Sequence, residues 1–77
     1  MKEFEVVALN VDLPEHGLER GDLGTVVHVH PGEVACLVEF ITLDGETVAV
    51  ETLLADQVRR VRHREIAHAR PVGPNSR

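Results

Sequence analysis

His28-Val29-His30 is the tightest pairing of metal-binding side chains in the sequence. In a strand, residues two apart share a face, so both imidazoles can turn toward one cation. Zinc demands more than two ligands. His63 and His68 are candidates to complete a set, but nothing in their spacing ties them to the pair. Solvated histidines at a strand end account for the same residues, so neither a metal nor a cofactor is assigned. Cys36 is the only cysteine. A thiol becomes a nucleophile when a base or cationic surroundings favour the thiolate. Cys36 instead shares an alternating apolar face with Val34, Val38 and Phe40, which makes it a small core residue. The acids Glu39, Asp44, Glu46 and Glu51 gather around one hairpin. Neighbouring carboxylates shift one another's pKa, yet no nucleophile, base and orienting group accompany them. No catalytic residue is assigned, and an enzyme is not expected.

The remaining chemistry is cationic. Arg59-Arg60-Val61-Arg62-His63-Arg64 is the one basic stretch. Arginine grips phosphate through paired N–H donors, so Arg59, Arg60, Arg62 and Arg64 are the candidate nucleic-acid contacts. Two features count against that use. The net charge is −5, and polyanion affinity scales with the phosphates neutralised. Phe4 and Phe40 are the only aromatics, too few to stack on bases. Charge is also segregated. Residues 1–56 set Lys2 and Arg20 against twelve acids, whereas residues 57–77 set six arginines against Glu65 alone. A basic tail of this kind either stays solvated or pairs with an acidic surface, its own or a neighbour's.

Valine-rich segments separated by turn residues must position these groups. Strands are expected over 4–9, 25–30, 34–41, 46–52 and 57–62, with a loop over 10–22 and one 3₁₀ turn over 53–56. Pro31-Gly32 marks a turn, and Asp44-Gly45 signals a hairpin of type I′, with positive φ at both centres. Short strands at this spacing predict an all-β fold, a small five-stranded SH3-like barrel with a C-terminal tail. Closure would remove the exposed edges. Val6, Val26, Val29, Val38, Phe40, Val48 and Val50 are the expected core, and Gly21, Gly24 and Gly45 supply permissive backbone. The barrel is assigned to residues 1–62. Residues 63–77 form the basic tail, with one or two helical turns over 64–70 and disorder over 73–77.

A lone barrel should alternate apolar inside and polar outside. Here Ala35, Leu37 and Ile41 fall on the outer side of the third strand, and strands one and four are similarly apolar on both faces. A contiguous apolar patch marks an interface. Self-association is therefore expected, as a symmetric dimer or tetramer, with Ala35, Leu37, Ile41 and the tail's Ile66 in the interface. The chain has no apolar run near the roughly 20 residues of a membrane span. Its start, MKEFEVV, lacks the regions of a signal peptide. A single cysteine suits a reducing compartment, so the cytoplasm is the expected location.

The ordered segments VVAL (6–9), LPEHGLERGDLGTVV (13–27), VEF (38–40), DG (44–45) and TLLADQVR (52–59) resemble an uncharacterised family of short bacterial proteins, a domain-of-unknown-function family. The resemblance covers about residues 5–62. More distantly, Gly21-Asp-Leu-Gly-Thr-Val-Val is similar to the KOW-type unit of SH3-like barrels, a shape also found in the nitrile hydratase β subunit. KOW units that bind RNA carry Lys or Arg in this loop, where this chain has Asp12, Glu15, Glu19 and Asp22 against Arg20. By analogy, proteins of this sort are partners in two-gene systems, as an antitoxin or immunity-like member. The expected function is a non-catalytic module that binds a protein partner. Nucleic-acid binding through Arg59–Arg64 is the alternative.

Overall fold

Prolines and glycines divide the chain as the sequence suggests. In the computed structural model, which describes residues 1–73, the strands are β1 (Val6–Leu9), β2 (Leu23–Val29), β3 (Ala35–Ile41), β4 (Thr47–Leu54) and β5 (Val58–Arg60). Single 3₁₀ turns occupy Pro14–His16, Pro31–Glu33 and Ala55–Gln57. Pro14 opens the first of these, where its missing N–H has no partner to lose, and Gly17 ends it in the left-handed region at φ 70°. The β3–β4 hairpin differs from the expected type I′ turn. It is closed by Gly45 N–H donating to the Thr42 carbonyl at 3.0 Å, and only Gly45 has positive φ. The Glu46 amide donates to Thr42 Oγ1 at 2.9 Å and stiffens the turn.

All pairings are antiparallel, in the order β4-β3-β2-β1-β5. A flat sheet in this order would hold its edges about 19 Å apart, at about 4.8 Å per strand. Yet β4 reaches β5 through Ala55–Gln57 alone. Four Cα steps span at most about 15 Å, and a 3₁₀ turn shortens them. The sheet therefore curls. It is not closed, because no ladder joins β4 to β5 among the described residues. The all-β, five-stranded expectation holds, and the closed barrel does not.

One cluster fills the concave side. Val26, Cys36 and Val38 have no exposed surface, and Phe40, Val7, Leu9, Leu53 and Val58 almost none. The 10–22 loop caps the cluster by inserting Leu13 and Leu18, which bridge each other. Two bulges set which residues face inward. Val26 pairs with Val38 and His28 with Leu37, leaving Val27 as an extra residue in β2. The phase flips there, so Val26 and Val29 both meet the core despite their odd spacing. In β4, Ala49 pairs with Phe40 and Thr47 with Ile41, leaving Val48 extra.

Two core assignments are corrected by this register. Val50 is 46 % exposed, and Ala49 and Leu53 take the inward positions because they lie opposite Phe40 and Cys36. Val6 is 45 % exposed, and Val7 faces inward beside Gly24. Val48 packs against the core as expected. The helical turns expected over 64–70 are absent. After a turn at His63–Arg64 the described tail runs as irregular chain. Of the segment 73–77 expected to be disordered, residues 74–77 lie outside the described residues. No helix among the described residues is long and apolar enough to cross a membrane.

Candidate functional site

Strand register assembles the convex face of the sheet residue by residue. Directly opposed residues in an antiparallel pair share a face. Val50 lies opposite Glu39, Glu39 opposite Thr25 and Thr25 opposite Val6. Thr52, Leu37 and His28 form the adjacent row, and Leu54 lies opposite Ala35. Ala35 and Leu37 are half-buried, and Val6, Leu23, Ile41, Val50 and Leu54 are each about half exposed. Sequence reasoning placed Ala35, Leu37 and Ile41 on this face, and the register brings them together there. It did not anticipate Val6, Val50 and Leu54 on the same face, where the register places them. Ile66 is not part of the face. It stands on the tail and is 94 % exposed.

His28 and His30 share the same face, with ring centroids 5.1 Å apart in edge-on contact. His28 Nδ1 lies 3.8 Å from Glu3. His30 Nε2 is buried without a hydrogen-bond partner. His63 and His68 are on the exposed tail. Among the described residues, no three His, Cys, Asp or Glu side chains converge as a metal site would require. Cys36 is sealed in the core, its Sγ 3.6 Å from Met1 Sδ. Burial pushes its thiol above the ordinary value, against a weaker opposing pull from the N-terminal ammonium.

The arginines of the basic stretch divide into two sets. Arg59 forms a two-pronged ion pair with Glu65, at 2.9 and 2.7 Å, and the Arg62 amide donates to the same carboxylate. The bond from Arg59, aided by that amide, holds the Glu65 carboxyl down at about 2. Arg60 Nε reaches Glu5 at 3.1 Å. The Arg62 and Arg64 side chains make no ion pair among the described residues.

Further along, the tail returns to the body. Arg70 Nε donates to Asp22 Oδ1 at 2.9 Å, and Arg70 Nη2 donates to Asp22 Oδ2 and, at 3.0 Å, to the Gly17 carbonyl. Glu19 lies 3.7 Å from the same guanidinium. Burial alone would raise the Asp22 carboxyl. The Arg70 side chain and the Glu19 amide outweigh it, and the group sits below its ordinary value. Beyond Arg70, Val72 and Gly73 line a shallow groove of about 320 Å³ with Glu15, His16, Thr42, Glu46, Thr47 and Val48. His16 Nε2 lies 2.9 Å from Glu51, tying the first 3₁₀ turn to β4. Arg70 was not singled out from the sequence. The available signal was the opposition of a basic tail to an acid-rich loop.

These features define a small open-sheet, all-β domain with an apolar convex face and a basic strap folded onto its acidic loop. The chain belongs to the DUF4926 family, a domain of unknown function, whose model matches residues 3–60. The resemblance to an uncharacterised family is thus confirmed, and the tail lies beyond the matched region. No curated protein and no solved structure matches the chain, so the likeness to SH3-like barrels and to nitrile hydratase gains no support.

Proposed function

We propose that the protein is a non-catalytic binding module that associates with itself, and with a protein partner, through the convex sheet face. The observation that carries this reading is the apolar group Leu37, Val50 and Leu54 on β3 and β4, continued by Ala35 and Ile41, with Val6 on the same face beyond Glu39 and Thr25. Each exposed member is about half uncovered, so covering one adds roughly 1 kcal/mol, half the value of full burial. Four such residues, Val6, Ile41, Val50 and Leu54, add roughly 4 kcal/mol, close to the whole stability of a small domain, about 5 kcal/mol. The cytoplasm suits a protein whose one thiol is free. Sedimentation at micromolar concentration tests the reading. A dimer or tetramer is expected, with Leu37→Lys and Ile41→Lys yielding monomers of unchanged circular dichroism. A single species near 8.5 kDa across the range overturns it.

The nucleic-acid alternative is weakened by the same geometry that makes the tail interesting. Arg59 and Arg60, half of the arginines it needs, are engaged by Glu65 and Glu5. Titration with single- and double-stranded RNA and DNA separates the two readings. Tight, steeply salt-dependent binding would reverse their order.

A further inference from the structure

The Arg70 contact has the composition of a recognition site rather than of a chance surface pair. A guanidinium is met by one carboxylate on two oxygens, by a backbone carbonyl and by a second acid nearby. Paired carboxylate contacts of this form are the most selective that arginine makes. Asp22 is only 19 % exposed and Arg70 23 %, whereas residues 61–69 on the approach are all exposed.

The receiving groups are held by the body, not by the strap. The Glu19 amide donates to Asp22 Oδ2 at 2.8 Å, and the Asp22 amide donates to the Glu19 carbonyl at 3.0 Å. The Asp22 carbonyl accepts from the Leu9 amide of β1 at 2.9 Å. Leu13 and Leu18 root the loop in the core. The cradle is therefore formed before an arginine enters it. Its floor is shaped for a backbone as well. The Gly73 carbonyl oxygen lies 2.9 Å from where a Cβ on Gly17 would stand, closer than a side chain tolerates. Only glycine at this position lets a backbone lie this close across the turn. The groove beyond takes Val72.

We propose that Gly17, Glu19 and Asp22, with the adjoining groove, form a binding site for an arginine-bearing segment of another protein, and that Arg70–Gly73 is its occupant within the chain. The site uses none of the convex-face residues. The strap sets a threshold. A short tether gives its arginine an effective concentration on the order of millimolar. An incoming segment displaces it only by binding well below that level. A second copy's tail offers the same arginine with no such advantage, so the occupant is a different protein.

The test uses the full chain and its Arg70→Gln variant, which leaves every strand untouched. The probe is the blocked octapeptide Ile-Ala-His-Ala-Arg-Pro-Val-Gly, followed through the amide NMR signals of Gly17, Glu19 and Asp22. The variant is expected to bind it at least tenfold more tightly than the unmodified chain. The same peptide with glutamine for arginine should bind at least tenfold more weakly, and adding Asp22→Asn to the variant should abolish binding. Equal affinity of the two chains, binding that ignores the arginine, absence of binding to the variant, or shifts located elsewhere would each overturn the proposal. So would a dimer of the unmodified chain that Arg70→Gln dissociates, since that would make the occupant a second copy.

Discussion

Replacing Gly24 by alanine should destabilise this domain more than any other single added methyl at a glycine within the sheet or its turns. Gly24 is buried in β2, opposite Val7. A Cβ there would lie 2.6 Å from Val38 Cγ1 and 2.7 and 2.9 Å from Phe40 Cε1 and Cδ1. Unbonded carbons settle about 3.5–4.0 Å apart, so the methyl is short of room by about 1 Å against two side chains. Neither is a flexible tip able to swing away, since Val38 has no exposed surface and Phe40 has 2 %. Overpacking a core costs about 1–3 kcal/mol, and obstruction by two fixed neighbours puts Gly24→Ala near about 3. A domain this small has a total near 5 kcal/mol. At about 4–8 °C per kcal/mol, the melting temperature should fall by about 12–24 °C. Gly21 provides the contrast. It has φ 95° and nothing within 4 Å of a built Cβ, so Gly21→Ala carries only the left-handed backbone cost of about 1–2 kcal/mol. Urea and thermal unfolding followed by far-ultraviolet circular dichroism measure both. Adding Phe40→Leu to Gly24→Ala should recover about 1 kcal/mol relative to the sum of the single effects. A Gly24→Ala midpoint within about 0.5 kcal/mol of the unmodified protein, or strict additivity with Phe40→Leu, would refute the packing argument.

Two further outcomes follow from buried and paired groups. The Cys36 thiol, sealed in the core and pushed above its ordinary value by burial, should resist a thiol reagent at neutral pH in the folded protein and react completely in urea. Rapid reaction without denaturant would show that the Met1–Cys36 packing opens. Glu65 is held at about 2 by Arg59 and the Arg62 amide, below its ordinary 4.5. Because its folded value is the lower one, its contribution is full above pH 4.5 and is lost as pH falls toward 2. Carboxyl NMR titration should place its midpoint near 2 and Arg59→Gln should move it upward, whereas a midpoint with the ordinary glutamates would remove the ion pair.

Strand number and turn positions were legible because they rest on local chemistry. Valine clusters, Pro31 and the Asp44-Gly45 pair act over a few residues, and the observed strands fall within three residues of those expected. Phase was harder. Period-2 alternation assigns Val48 and Val50 to one face, and a bulge at Val48 breaks that period. Nothing in a run of small β-branched residues announces which one will be left unpaired, because the choice is made by the neighbouring strand. Gly24 shows the same limit in another form. The sequence marked it as a residue needing freedom of φ, but it belongs to a regular strand. It is glycine because Phe40 and Val38, on a strand eleven or more residues away, fill the space above it. Closure was misjudged because one three-residue turn is enough to curl the sheet without any ladder between its edges.

The candidate sites divide along the same line. Ala35, Leu37 and Ile41 were legible because side-chain alternation within one strand is local. The arginines were not, because an ion pair is decided by where the chain returns in space. Arg60 meets Glu5 across the β1–β5 ladder, and Arg70 meets Asp22 from 48 residues away. Segregated charge left the tail either solvated or paired with an acidic surface, its own or a neighbour's, and geometry commits Arg59, Arg60 and Arg70 to acids of the same chain. Two arginines of the basic stretch, Arg62 and Arg64, are left to meet phosphate. At about −0.9 per neutralised phosphate on duplex DNA, they support a salt slope no steeper than about −2. Specific duplex binding typically draws on about 6–10 such contacts, and the surrounding body is acidic. Ion pairs within the chain thus withdraw Arg59 and Arg60 from the set that would recruit nucleic acid, which is why the proposed reading turns to the sheet face instead.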